Sequence, residues 1–235
     1  SGAAFATGAV TSQLINTPIV SAENSSAQQP ITDDADRISY GVLEKTIERT
    51  VGNRLRETVS VLDFGAVGDG QTDDTAAFNA AVQYLEARGG GTLHIPNNGH
   101  SVYLLKSYVV LCDHLRIISD GAILKKDGSC ENYYVFVSLS GQKQGYGSGA
   151  SHIVIDGLHI QGSFEDVRGA SITLHHSQHV WIKNCLFTQS VIGGHSIDLG
   201  GCSDVLISNC VFKGFHVQNG REYVEAIQID HSTAE

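Results

Sequence analysis

The sequence predicts an all-β chain wound as a right-handed parallel β-helix, and three observations lead there. The first is a repeat: IVIDGLHI (153–160), VWIKNCLF (180–187) and VLISNCVF (205–212) align without gaps, at offsets of 27 and 25 residues. The second is an apolar pair that recurs beside them, Ile172/Leu174, Ile197/Leu199 and Ile227/Ile229, at offsets of 25 and 30. The third is composition. A chain that is 41% hydrophobic and only 17% charged, with 26 glycines, suits a turn-rich β protein better than a helical bundle. Some 25 residues holding short strands, repeated in tandem, make one coil of a solenoid.

Such a coil buries alternate residues, so Val180, Ile182, Cys185 and Phe187 are expected to point inward. Stacked coils then set like on like at about 4.8 Å. Asn184 falls over Asn209 where the alternation slips, a place that favours a left-handed backbone and lets side-chain amides bond along the axis. Cys185 falls over Cys210. Five cysteines with no CxxC pair specify neither a disulfide framework nor a zinc site, and they read as buried thiols.

Taken in order, residues 1–36 are rich in Ser, Ala, Thr, Gly and Gln without a period and read as an extended arm or linker. Residues 37–58 read as a neck. Leu43, Ile47, Val51 and Leu55 recur every fourth residue among charges, which predicts an amphipathic helix over about 38–57. Its stripe would be buried against its own domain or by association around a symmetry axis. Residues 59–235 read as the N-terminal part of the β-helix. Val59, Val61 and Phe64 suggest a short strand, Gly65, Gly68 and Gly70 a turn, and 73–88 a helix capped by Thr72 or Asp73. Phe78, Ala81, Val82 and Leu85 form its apolar face. A stack of coils needs its ends covered, and this helix is placed to cap the N-terminal end. Asp69, Asp73 and Asp74 lack the spacing and glutamate of an EF-hand and read as turn and cap residues. The chain stops after EAIQID, before that coil can close, which predicts a piece of something longer.

A net charge of −10 argues against nucleic acid, which demands a basic stripe. No apolar run approaches a membrane span, and Ser1 to Thr11 lacks the basic start and apolar centre of a secretory signal. No spacing specifies a metal site, and no motif calls for a cofactor.

VSVLDFGAVGDGQTDDTAAFNAAV followed by GGGTLHIP resembles the opening of the pectate-lyase-like, single-stranded β-helix superfamily. That group includes polygalacturonases, exopolysaccharide lyases, epimerases and bacteriophage tailspike depolymerases. The resemblance covers roughly 58–235 and is specific for fold. NRLRETVSVLDFGA, a helix running straight into the motif, resembles the neck of a tailspike more than a secreted pectinase. Tailspikes of this group are trimers on virions that bind, and often cleave, host surface glycans. The resemblance therefore implies a homotrimer, a bacterial surface polysaccharide as partner and a virion-tail or extracellular location. The polygalacturonase signatures (an Asn-Thr-Asp strand, a paired Asp-Asp, then Gly-His-Gly) are missing: Gly194-His195 is followed by serine, and Asp73-Asp74 lies in the cap. This departs from pectin hydrolysis.

On such a helix substrate lies beside the strands carrying 172, 197 and 227. If Ile and Leu there point inward, Thr173, His175, Ser196, Asp198, Gln228 and Asp230 point outward. Asp230 then lies one coil up and two residues along from Asp198, with Cα atoms about 8 Å apart. That separation suits two carboxylates flanking a glycosidic bond in either stereochemical class. Asp198 and Asp230 are the leading catalytic pair, Glu222 and Glu225 the alternates, and His195 a proton carrier beside them, with His175 and His231 near enough to share that role. His175, Thr173, Gln228, Arg221 and Tyr223 are expected to contact substrate. Phe215 and Trp181 can also stack on sugars, although Trp181 lies outside this groove.

The first function expected is depolymerisation of a bacterial surface polysaccharide, by hydrolysis rather than elimination. The alternatives are a non-catalytic receptor-binding tail protein and a secreted polysaccharide lyase or epimerase.

Overall fold

The computed structural model describes residues 35, 39–40, 47, 49–128, 134–138, 147–162, 171–189, 195–215 and 225–231. Three parallel sheets run the length of the molecule. Sheet I stacks Thr58–Ser60, Gly91–Ile95, Leu115–Ser119, Ser151–Asp156, Gln178–Lys183 and Ser203–Ser208. Sheet II stacks Asp69–Asp73, Val102–Leu105, Ile123–Lys126, His159–Gln161, Leu186–Thr188 and Val211–Lys213. Sheet III stacks Val109–Val110, Phe136–Ser138, Ile172–His175, His195–Gly200 and Glu225–Asp230. From Val109 onward each coil visits III, then I, then II, with parallel crossovers throughout: a right-handed parallel β-helix.

The repeat sets the register. Ile153, Val180 and Val205 stack, as do Ile155, Ile182 and Ile207. Phe187 lies over Phe212 with ring centroids 4.9 Å apart and planes 7° from parallel. In the three coils of the repeat, the chain turns between sheets I and II on one left-handed residue. Gly157 supplies it in an early coil at φ 79°, and Asn184 and Asn209 later at 54° and 53°. Asn184 Nδ2 donates to Asp156 Oδ1 at 2.7 Å, and Asn209 Nδ2 donates to Asn184 Oδ1 at 3.3 Å. These amides tolerate the strained backbone and bind each coil to the one below. Cys185 is buried beside them, and burial pushes its thiol up to about 12. Cys210, one coil on toward the C-terminus, is half-buried, and both are free thiols.

A strand Thr58–Ser60 does form, but Val61–Phe64 is a 3₁₀ turn rather than its continuation. Ser60 accepts from Leu62 N through its hydroxyl while its own N–H donates to Asp63 Oδ2, which turns the chain at that point. The capping helix covers Thr75–Glu86 and buries Phe78, Ala81, Val82 and Leu85 over the first coils. Asn79 ties it to the first strand of sheet III, donating to Tyr108 O and accepting from Val110 N. Asp74 precedes the helix without capping it. Its buried carboxylate instead accepts from Val67 and Gly68 N–H, closing the glycine turn.

The neck differs from expectation. Instead of one helix over 38–57, Ser39–Tyr40 pairs antiparallel with Arg49–Thr50, and among the described residues of that span the helix is Val51–Leu55. Thr50 explains the boundary: its backbone is extended, and its hydroxyl accepts from Asn53 N, starting the helix there. Gly52 within so short a segment opposes extension. Ile47 and Leu55 are 86% and 63% exposed, so neither is buried against the domain. Leu43 lies outside the described residues. No helix among the described residues is long and apolar enough to cross a membrane.

Candidate active site on sheet III

The candidate residues fall on sheet III, whose two faces are sorted by the two-residue period of a strand. Ile172, Ile197 and Ile227 form one inward column. Thr173, Asp198 and Gln228 form the adjacent outward one, and His175, Gly200 and Asp230 the outward column two residues along. The expected register therefore holds, and Asp230 sits diagonally above Asp198.

Asp198 is half-buried. Burial raises its pKa, His175 and His195 pull it back down, and Asp230 adds a further upward push. Desolvation, not the neighbouring carboxylate, is thus the larger reason why Asp198 holds a proton more readily than an exposed aspartate. His195 Nδ1 is buried with no hydrogen-bond partner among the described residues, and Glu225 Oε2 stands 3.6 Å from it. Asp230 is exposed and accepts from Gln228 Nε2 at 2.8 Å.

Two features position His175. Its backbone N–H donates to Ser138 Oγ at 2.9 Å, and the buried Ser177 hydroxyl donates to the same oxygen at 2.9 Å. Gly200 provides space in the coil above: a Cβ there would lie 2.9 Å from His175 Cδ2. The missing side chain leaves a notch between His175 and Asp230 in which the imidazole lies. The result is a half-buried acid with two imidazoles beside it and exposed carboxylates one coil on. Such an arrangement can deliver a proton from one group and hold negative charge on another.

The structure thus brings Asp198, Asp230, His175 and Gln228 onto the outward columns of one sheet, while His195 and Glu225 pair at the strand starts with the parity of the inward isoleucines, His195 near enough to act on Asp198. Thr173 departs from expectation: it is 5% exposed, and its hydroxyl has no partner among the described residues, so it floors the groove rather than meeting solvent. Ser196 is likewise buried, and His231 is exposed just beyond Asp230. Arg221, Glu222 and Tyr223 lie outside the described residues. The Ser138–Ser177 support and the Gly200 notch went unread in the sequence. The 25- and 30-residue offsets, which align His175 with Gly200 and Asp230, were a signal for the notch. Ser138 had none, because it precedes the repeat that sets the alignment.

Comparison with known proteins agrees with this architecture. Plasmin and fibronectin-binding protein A of Streptococcus pneumoniae is 27% identical over 214 residues, 82% of this chain and 29% of that protein. A mannuronan C5-epimerase of Azotobacter vinelandii is 30% identical over 116 residues, 47% of this chain and 20% of the epimerase. The chain thus spans less than a third of the length of these relatives. Among solved structures, the tailspike of Escherichia coli bacteriophage HK620 in complex with a pentasaccharide superimposes with a TM-score of 0.60 at 16% identity. That match covers 83% of this chain and 42% of the tailspike and speaks to the fold. Residues 58–225 match the family model described as rhamnogalacturonase A/epimerase, pectate lyase-like, and the chain belongs to that family.

Proposed function

We propose that this chain binds a bacterial surface polysaccharide along the outer face of sheet III and cleaves it by hydrolysis. The observation that carries this reading is the half-buried Asp198, its pKa raised by burial, with His175, His195 and Asp230 acting on it. Asp198 donates its proton to the departing glycosidic oxygen. Asp230 serves as the base that directs water to the anomeric carbon, or as the nucleophile that attacks it before water releases the sugar, and Glu225, close to His195, is the alternate for that role. Gln228 and His175 hold the sugar. The family and the mannuronan C5-epimerase relative support a polysaccharide as ligand. The protein works as a homotrimer at a virion tail or otherwise outside the cell, and the exposed Ile47 and Leu55 of the neck support self-association.

The test is incubation with capsular and lipopolysaccharide glycans, reading reducing ends and the ultraviolet absorbance of an unsaturated uronate. New reducing ends without that absorbance, lost in Asp198→Asn, are the expected result. Absorbance appearing with the chain breaks would replace hydrolysis by elimination. A second reading, binding without cleavage, is favoured by the likeness to the streptococcal plasmin- and fibronectin-binding protein over 82% of this chain. It predicts retention on glycan or protein ligands with no new reducing ends. Light scattering that returns a monomer mass would reject the trimer.

A further inference from the structure

Sheet I, the next sheet in the winding after sheet III, presents a feature that the groove does not use. Val154, Trp181 and Leu206 stack in register on its outer face. Trp181 is 47% exposed, a large apolar side chain half open to solvent on the outside of the sheet. Beside this column runs a second one. His114, His152 and His179 stack with centroids 4.6 Å apart at each step, all in the left-handed backbone region, and Asp204 takes the same conformation one coil on. His179 Nδ1–H donates to Asp204 Oδ2 at 2.5 Å, which fixes the tautomer. Val154, Trp181, His152, His179 and Asp204 line an open, mostly apolar depression of about 290 Å³.

We infer that this shelf is a second glycan-binding subsite, taking a pyranose ring whose apolar face lies on Trp181 while its hydroxyls meet Asp204 and His179. The chemistry of the lining selects that ligand. A sugar ring has a C–H face that packs on an indole and an equatorial rim of hydroxyls that bond a carboxylate and an imidazole. Asp204 keeps acceptor capacity beyond its bond to His179, so a ligand with hydroxyls beside its apolar face suits this lining better than a purely apolar one. The volume sits at the small end for ligand sites, enough for a short stretch of chain rather than a folded partner. The coil-to-coil spacing of Val154, Trp181 and Leu206, about 4.8 Å, is close to the advance of one sugar along a glycan, so successive rings can lie over successive coils. The inference rests on the reading that a glycan is the partner and not on cleavage at Asp198.

Trp181 is the chain's one tryptophan, so its fluorescence reports this shelf directly. The probes are mannuronan, rhamnogalacturonan and β-glucan hexasaccharides titrated against the chain and against Asp198→Asn. The expected result is a saturable fluorescence change with at least one of them, unaltered in Asp198→Asn. Trp181→Ala should weaken that affinity by about tenfold or more in calorimetry, and Trp181→Phe, which keeps an aromatic face, should recover most of it. Both variants should remain folded, with the unfolding midpoint of Trp181→Phe near the wild-type value and a modest drop in Trp181→Ala, because about half of the side chain is covered. A glycan that the groove cleaves or binds without perturbing Trp181 would overturn the shelf and leave the proposed function standing. Silence at both sites toward every probe would overturn both. A concentration-dependent change without any glycan, accompanied by a rise in mass that Trp181→Ala abolishes, would overturn the subsite and assign this face to a second copy of the chain.

Discussion

The two faces of sheet III are made by the same strands at the same spacing, yet they obey different rules. Inward, Ile172, Ile197 and Ile227 are alike, because each side chain must fill the same volume above its neighbour. Outward, Thr173, Asp198 and Gln228 share nothing, and the next column runs from His175 to a glycine to Asp230. Uniform columns are what stacking rewards, whereas a column that changes residue at each coil builds a surface of local chemistry. Perturbing the first face should cost stability, and perturbing the second should cost activity.

The largest effects test that division directly. Phe187→Ala removes a fully buried ring stacked on Phe212 and should lower the unfolding free energy by about 3–5 kcal/mol in denaturant melts. Any residual activity per folded molecule should be normal. Asp198→Asn should do the reverse, cutting the rate of glycan cleavage by about 10²–10⁴-fold while the protein folds. An activity near wild type would move the site elsewhere.

Smaller effects sharpen the comparison. Gly200→Ala places a methyl group against the His175 ring at a backbone φ that alanine accepts, so turnover should fall by up to about 10²-fold with little change in stability. Asn184→Ala strands a left-handed residue and removes the links to Asp156 and Asn209. It should cost about 1–2 kcal/mol, and Asn184→Gly, which relieves the backbone, should cost less.

The least effect is on the pH dependence of stability. The folded pKa of Asp198 lies above its unfolded value, so its contribution favours the fold below the unfolded pKa and is lost as pH rises through the folded one. Asp198→Asn should therefore shift the denaturant midpoint upward at neutral pH. The gain should fade on acidification below the ordinary aspartate range, and a variant less stable than wild type at neutral pH would contradict burial as the leading cause.

Much of the architecture was legible because a β-helix is quasi-one-dimensional. Each coil contacts its neighbours, so a repeat of about 25 residues encodes register directly, and the pairing of Asp198 with Gln228 and Gly200 with Asp230 follows from the alignment. The neck was misread because a four-residue apolar spacing is only a weak signal. It was outweighed by the hydroxyl of Thr50, which ends one element and begins the next.

By itself, the sequence determined the coil, the left-handed asparagines, the inward columns and the face on which the carboxylates stand. These depend on period and on residue chemistry, both of which can be read along the chain. Only the tertiary structure decided how deeply Asp198 sits, that Thr173 is covered, that the Ser138–Ser177 pair holds His175, and that the imidazoles of 114, 152 and 179 stack beside an open indole. Burial and proton affinity depend on what lies above and beside a residue at distances of a few ångströms. The coils that set those neighbours are separated by tens of residues in the chain.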